Sequence, residues 1–145
     1  MSRRTSIITA LTDKLKSING LSPYKTDLSN NVYPIIKFWD EVNDFPCVYG
    51  STGTETREYH PAGFAWVYLG ITLKAYCKGE FAQLQLEQLL EDIEDVVDRN
   101  RVLTYDTAKN YETTEILVVS ITTDEGLLAP YAIGEINLQV RYQMM

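Results

Sequence analysis

The run Phe64–Cys77, FAWVYLGITLKAYC, limits the possible folds of this chain more than any other feature. Ala65, Val67, Leu69, Ile71, Leu73, Ala75 and Cys77 fall on one face of a two-residue repeat, with Trp66, Tyr68, Thr72, Lys74 and Tyr76 on the other. Extended, this run covers about 43 Å, where an ordinary strand has about five or six residues. Such a strand is expected to project past the domain body or to pair with another chain there. Whatever else the chain forms must pack around it.

The second constraint follows directly in sequence. Glu80–Asp98, EFAQLQLEQLLEDIEDVVD, places Ala82, Leu86, Leu89, Leu90, Ile93, Val96 and Val97 at three- and four-residue intervals, the pattern of one buried helix face. The same stretch holds seven carboxylates (Glu80, Glu87, Glu91, Asp92, Glu94, Asp95, Asp98) and no basic residue. The chain has 20 acidic and 13 basic residues, so its formal charge of −7 equals the charge of this one stretch. On a helical wheel Glu87, Glu91, Glu94 and Asp98 form a narrow stripe away from the apolar face. Phe81 and Leu84 also fall near the acidic side. A different geometry at the helix start explains that placement, and so does a second contact surface.

The remaining segments complete an α+β reading. Arg3–Ile18 reads as a helix with Ile7, Ile8, Leu11, Leu15 and Ile18 on one face and a stop at Asn19-Gly20. Val32–Trp39 holds a short edge strand within the mixed region Leu21–Asp40, and Phe45–Gly50 begins another strand. Ser51–Gly63 is polar and Gly/Thr-rich, either a long loop or a hairpin excursion at about residues 50–64. Arg99–Tyr111 reads as a loop. Thr114–Thr122 is a strand with Ile116, Val118 and Ser120 opposing Leu117, Val119 and Ile121, and Tyr131–Tyr142 is the closing strand. Ile133 and Ile136 do not share a strand face, and Gly134 between them suggests a bulge. The order is α-β-β-β-α-β-β: an antiparallel sheet of four or five strands with two helices packed on one face, in a single domain over residues 1–145.

At 145 residues with 45% hydrophobic and 23% charged content, the chain is large enough to bury a core without staples. Cys47 and Cys77 stand thirty residues apart with no CxxC, so two reduced thiols are expected. The first residues lack a secretory apolar region, and no run approaches the ~20 apolar residues of a membrane span. These features predict a soluble protein made in a reducing compartment, with no membrane partner. The acidic balance speaks against sequence-specific nucleic-acid binding.

Catalytic constellations are missing. His60 is the one histidine, which excludes HExxH and multi-histidine metal sites. It lies near Glu55 and Glu58 and reads as a solvated loop residue. No GxSxG occurs, and Gly50-Ser51-Thr52-Gly53 lacks the GK[ST] ending of a phosphate loop. The acidic stripe has the i, i+3, i+4 spacing that hard-metal enzymes use, which keeps a carboxylate–metal hydrolase as the enzymatic alternative. Such sites gather ligands from several buried elements, whereas this stripe points outward. No cofactor, metal or catalytic residue is therefore expected. The overlong strand, the polar excursion and the stranded Phe81 and Leu84 together suggest self-assembly.

The pattern resembles the tail terminator proteins of long-tailed bacteriophages, of the lambda type. It does so through the amino-terminal helix RRTSIITALTDKLKSING, FPCVYG with the polar excursion containing Glu55, the strand AWVYLGITLKAYCKG, the helix ending LLEDIEDVVDRNRVL and the closing INLQVRY. The resemblance implies a non-enzymatic virion protein whose small α+β subunits close into a homo-hexameric ring. Such a ring caps the tail tube, stops its polymerisation and offers a surface for joining to the head. It would be assembled in the host cytoplasm and sit at the tail end nearest the head. The implied partners are other copies of the chain, the tail tube protein and a head-completion or connector protein, with genomic DNA passing through unread. A head–tail connector or neck protein is the alternative within the same class. Candidate subunit contacts are Phe81, Leu84, Trp66 and Tyr68. Glu87, Glu91, Glu94 and Asp98 are candidates for the channel or mating surface, where carboxylates would repel passing phosphates. Glu55, Arg57, Glu58, Tyr59 and His60 are candidates for touching the tube or another partner.

Overall fold

The computed structural model describes residues 2–144. Its main sheet has five strands in the order β1 (Val32–Tyr33), β2 (Cys47–His60), β3 (Phe64–Lys78), β7 (Tyr131–Met144), β6 (Glu115–Thr123). All neighbours are antiparallel except β1 and β2, which run parallel. Helices α1 (Arg3–Leu15) and α2 (Ala82–Arg99) pack on one face of the sheet, and a small ribbon of β4 (Thr104–Asp106) and β5 (Tyr111–Glu112) extends their layer. The α+β class and the layering are as the sequence predicts.

β3 sits at the centre and does not project. It is registered to β2 from His60↔Phe64 to Cys47↔Tyr76, and to β7 from Ala65↔Met144 to Lys78↔Tyr131. Both edges are occupied by the chain's own strands, so β3 has no edge left for another chain. The expected projection is therefore wrong, because β2 and β7 are as long as β3. The polar stretch Ser51–Gly63 is the hairpin alternative: β2 runs on to His60 and turns through residues 61–63.

The side chains predicted to line one face of β3 are all buried, from Ala65 (2%) to Cys77 (0%). Against them α2 lays Leu86, Leu89, Leu90, Ile93, Val96 and Val97, and α1 lays Ile7, Ile8, Leu11 and Leu15. Two glycines permit this approach. A Cβ on Gly134 would lie 2.9 Å from Leu90 Cδ2 and 3.1 Å from Leu86 Cδ1; one on Gly50 would lie 3.0 Å from Leu73 Cδ2 and 3.1 Å from Ile8 Cδ1. Gly134 is thus a packing position and makes no bulge, since β3–β7 register is continuous through it. Ile136 enters the main core while Ile133 turns to the opposite face, where Val42, Cys47, Tyr49 and Tyr76 form a second cluster under the segment 34–46.

Other local expectations change for identifiable reasons. α1 stops at Leu15 instead of Ile18 because its last turn tightens into Ser17 N→Lys14 O and Ile18 N→Leu15 O bonds, yet Ile18 is still buried. Its start is capped by Ser2, whose side chain accepts from Thr5 N at 3.1 Å. The expected edge strand Val32–Trp39 shrinks to β1, and Trp39–Glu41 forms a 3-10 turn. In the main sheet the real bulges lie at Thr52/Glu55 and Val118/Ser120. The second one moves Ile121 onto the inner face with Ile116 and Val118, opposite to the regular alternation. The expected loop Arg99–Tyr111 contains β4, whose Tyr105 packs edge-on to Tyr142 at 5.9 Å between ring centres.

Filling the Gly134 gap tests the α2–sheet contact. Gly134→Val is expected to destabilise the fold by about 1–3 kcal/mol through overpacking against Leu86 and Leu90. The drop is read as a lower urea midpoint with an unchanged slope.

Candidate assembly interface

α2 begins at Ala82, after a turn through Gly79–Phe81, so Phe81 precedes the helix and Leu84 lies in its first turn. Both are exposed, at 71% and 61%. They line a shallow cleft of about 260 Å³ whose other wall is Ala129, Pro130 and Tyr131. The β6–β7 turn is tied to the helix start by Gln83 Nε2→Asp124 Oδ1 at 3.0 Å and Gly79 N→Pro130 O at 2.9 Å. That turn carries Leu127, at 85% the most exposed large apolar side chain among the described residues. Trp39 packs on Tyr131 at 5.1 Å, and Phe38 beside it is largely exposed. One end of the sheet therefore shows a run of uncovered apolar side chains, well beyond the single scattered residues of an ordinary surface.

Trp66 and Tyr68 lie on the face of β3 away from the helices and are half-buried. The Arg141 guanidinium sits 3.9 Å from the Trp66 ring centre, and its Nε is buried with no hydrogen-bond partner among the described residues. Stacking on the ring offsets part of that loss. Tyr68 borders a broad trough of about 470 Å³ with side-chain-free Gly53 and Gly70 in its floor and Thr72, Val119 and Asn137 on its walls. Trp66 and Tyr68 are thus brought to one surface, and Phe81 and Leu84 to another.

The acidic helix is less uniformly negative than its sequence. Asp92 is 4% exposed and accepts from Lys25 N, Thr26 N (2.9 Å) and Thr26 Oγ1 (2.7 Å), clasping the 20–28 segment onto α2. Lys25 reaches Glu91 at 2.9 Å, and this hydrogen bond holds the ammonium above its usual range. Asp95 pairs with Arg99 and Asp98 with Arg101. Glu87 and Glu91 are exposed, Glu94 is partly so and Asp98 is exposed, so the stripe is real, but basic groups from elsewhere answer part of it. Asp92 is the residue that sequence reasoning missed. Its position three after Leu89 and four before Val96 was the available signal that it faces the core.

Of the five hairpin candidates, Glu55 turns inward. Its carboxylate accepts from Tyr142 Oη at 3.0 Å and from Arg57 Nε at 2.9 Å, just past the bulge where Arg4 donates to the Gly53 carbonyl. Burial works to raise Glu55, but the bonds from Arg57 and Tyr142 outweigh it and hold the carboxyl below its ordinary 4.5. Burial, with the bond to Glu55, pushes the Tyr142 hydroxyl up to about 12. Beyond this knot Glu58 pairs with His60 at 3.0 Å, His60 stacks on Phe64 at 4.8 Å and Tyr59 is 71% exposed.

Two substitutions test these ties. Asp92→Ala leaves the Lys25 and Thr26 donors without their acceptor and is expected to cost about 2–3 kcal/mol, with faster proteolysis within residues 20–28. Glu55 titrates lower when folded, so its contribution is complete above its ordinary value and lost as pH falls through the folded one. Glu55→Gln is expected to lower Tm at pH 7, and the gap from the parent protein to narrow as pH drops from about 5 towards 3.

Comparison with known proteins agrees with this architecture. The family profile described as Bacteriophage Tail Tube Terminator Protein matches residues 1–145. The chain is 39% identical to tail tube terminator protein p142 of Escherichia phage T5 over 153 aligned positions, covering 99% of this chain and 95% of that protein. It shares its fold with a chain from the virion of a native gene transfer agent particle, with a TM-score of 0.63 at 10% identity, covering 99% of this chain and all of the other. The chain belongs to the bacteriophage tail tube terminator family.

Proposed function

We propose that this chain is a structural virion protein that assembles into a homo-hexameric ring on the end of the phage tail tube, stops tube growth and offers the surface for joining to the head. The observation that carries the reading is the match of the whole chain to the tail tube terminator family. Its action is mechanical: it binds the last tube subunits on one side and a head-completion or connector protein on the other, at the tail end nearest the head, after assembly in the host cytoplasm.

The surfaces fit these tasks. Phe81 and Leu84 serve as subunit contacts, supported by their exposure beside the Pro130 cleft. Trp66 and Tyr68 add the trough side. Arg57, Glu58, Tyr59 and His60 at the hairpin end, braced by Glu55, meet the tube or its neighbour. Glu87, Glu91, Glu94 and Asp98 stand on the channel or mating side, where fixed negative charge keeps DNA phosphates from sticking.

Mass photometry of the purified protein, alone and with isolated tail tubes, tests the reading. Rings of six that bind tube ends are expected. Binding to empty portal-bearing heads in preference to tubes would make it a connector instead. Phe81→Asp combined with Leu84→Asp is expected to weaken assembly at least tenfold while leaving monomer stability within about 0.5 kcal/mol, as for other exposed positions.

A further inference from the structure

The two edges of the main sheet are unlike. Among the described residues β2 has no strand neighbour on its outer side beyond the two-residue pairing with β1, so Gly50–His60 is open there. Beyond its bulge at Thr52/Glu55 that stretch carries Glu55, Arg57 and Glu58, so this open edge is charged. Among the described residues β6 pairs only with β7, and from Ile116 to Thr123, on both sides of its bulge at Val118/Ser120, it has no charged residue and no proline. Leu117 and Val119 on this edge strand are 38% and 64% exposed. A bare edge of this length leaves a row of backbone donors and acceptors beside apolar side chains. α2 lies over β3, β7 and β6, and the exposed Leu127 stands on the turn that leads out of β6.

We propose that β6 pairs edge to edge with the β2 stretch Glu55–His60 of the next copy, so that the sheet continues from subunit to subunit; this rests on the ring reading above. Three observations select that partner. β6 and β2 are the two long open edges of the sheet. Pairing β6 with β6 is two-fold symmetric and stops at a dimer, whereas β6 with β2 is head-to-tail, leaves each copy one edge of each kind and is the kind of contact a ring requires. The Gly53 carbonyl is already taken by Arg4, which starts the free stretch beyond the bulge, at Glu55. Charge agrees as well: Ile116–Thr123 carries no charged side chain to oppose Glu55, Arg57 or Glu58. Thr56 and Glu58, registered to Tyr68 and Trp66 on the face away from the helices, share that face with Val119 and become its cross-strand neighbours.

Amide hydrogen exchange and disulfide trapping on the full chain test this. Cys47 and Cys77 are buried, so engineered thiols report alone. In the assembled ring the amides of residues 116–123 and 55–60 are expected to exchange at least tenfold more slowly than in the monomer. Val119→Cys with Thr56→Cys or with Glu58→Cys is expected to give a ladder of cross-linked species up to ring size under mild oxidation. Leu117→Lys with Val119→Lys is expected to raise the concentration needed for assembly at least tenfold while leaving the monomer's melting unchanged. Intact rings in which residues 116–123 exchange at the monomer rate, or in which neither cysteine pair cross-links, would overturn the strand pairing alone. Protection of 116–123 without protection of 55–60 would overturn β2 as the partner. A wild-type chain that never forms rings would overturn the ring reading and this inference with it.

Discussion

The subunit depends on one constraint: β3 is paired along both edges for nearly its whole length. Once β2 and β7 are both registered to it, the inner side chains from Ala65 to Cys77 form an unbroken apolar strip that has to be covered. α2 is 18 residues long, about 27 Å of helix, and β3 is 15 residues, about 50 Å of strand. One helix cannot cover the strip. The remainder falls to α1, to Leu103 and to Tyr105 on the small ribbon, which explains why a polar-looking linker folds back onto the sheet.

The opposite face follows different rules. Near the β3 C-terminus it is closed by the aromatic segment around Trp39 and Phe45, and toward the hairpin it is open and lined by hydroxyl and amide side chains, with Thr72 Oγ1→Asn137 Oδ1 and Asn137 Nδ2→Ser120 Oγ each at 3.1 Å. A subunit with one sealed face, one half-open face and two unequal edges has direction built into it. Directional subunits suit a cap, which must end growth on one side while offering something different on the other.

Legibility tracked burial. β3, β7 and the core stripe of α2 were readable because each buries one face, and a buried face imprints its period on the sequence. The outer part of β2 imprints nothing: Glu55, Arg57 and Tyr59 on one side and Thr56, Glu58 and His60 on the other are polar alike, so strand and loop look the same. The Val118/Ser120 bulge reverses Ile121 without any composition signal. Segment 34–46 has no period at all, because it is an irregular lid held by ring packing and by Tyr76 Oη→Lys37 O at 2.6 Å. At the candidate interface, Phe81 and Leu84 stood out because they broke the helical pattern. Leu127 and Val119 broke no pattern and stayed hidden. The answer to the acidic helix was equally invisible, since Lys25 lies 66 residues from Glu91 in the chain.

The knot of Glu55, Arg57, Tyr142 and Arg4 separates two parts of one hairpin. On the near side, residues are held by the core; on the far side, Glu58 pairs with His60, His60 stacks on Phe64, and the ties back run from Arg57 to the Tyr59 hydroxyl and from Phe64 to Trp66. Exposed side chains past the knot make fewer core contacts than those before it. The hairpin end is therefore the part of the scaffold freest to vary, substitution by substitution, while the body that presents it stays constant.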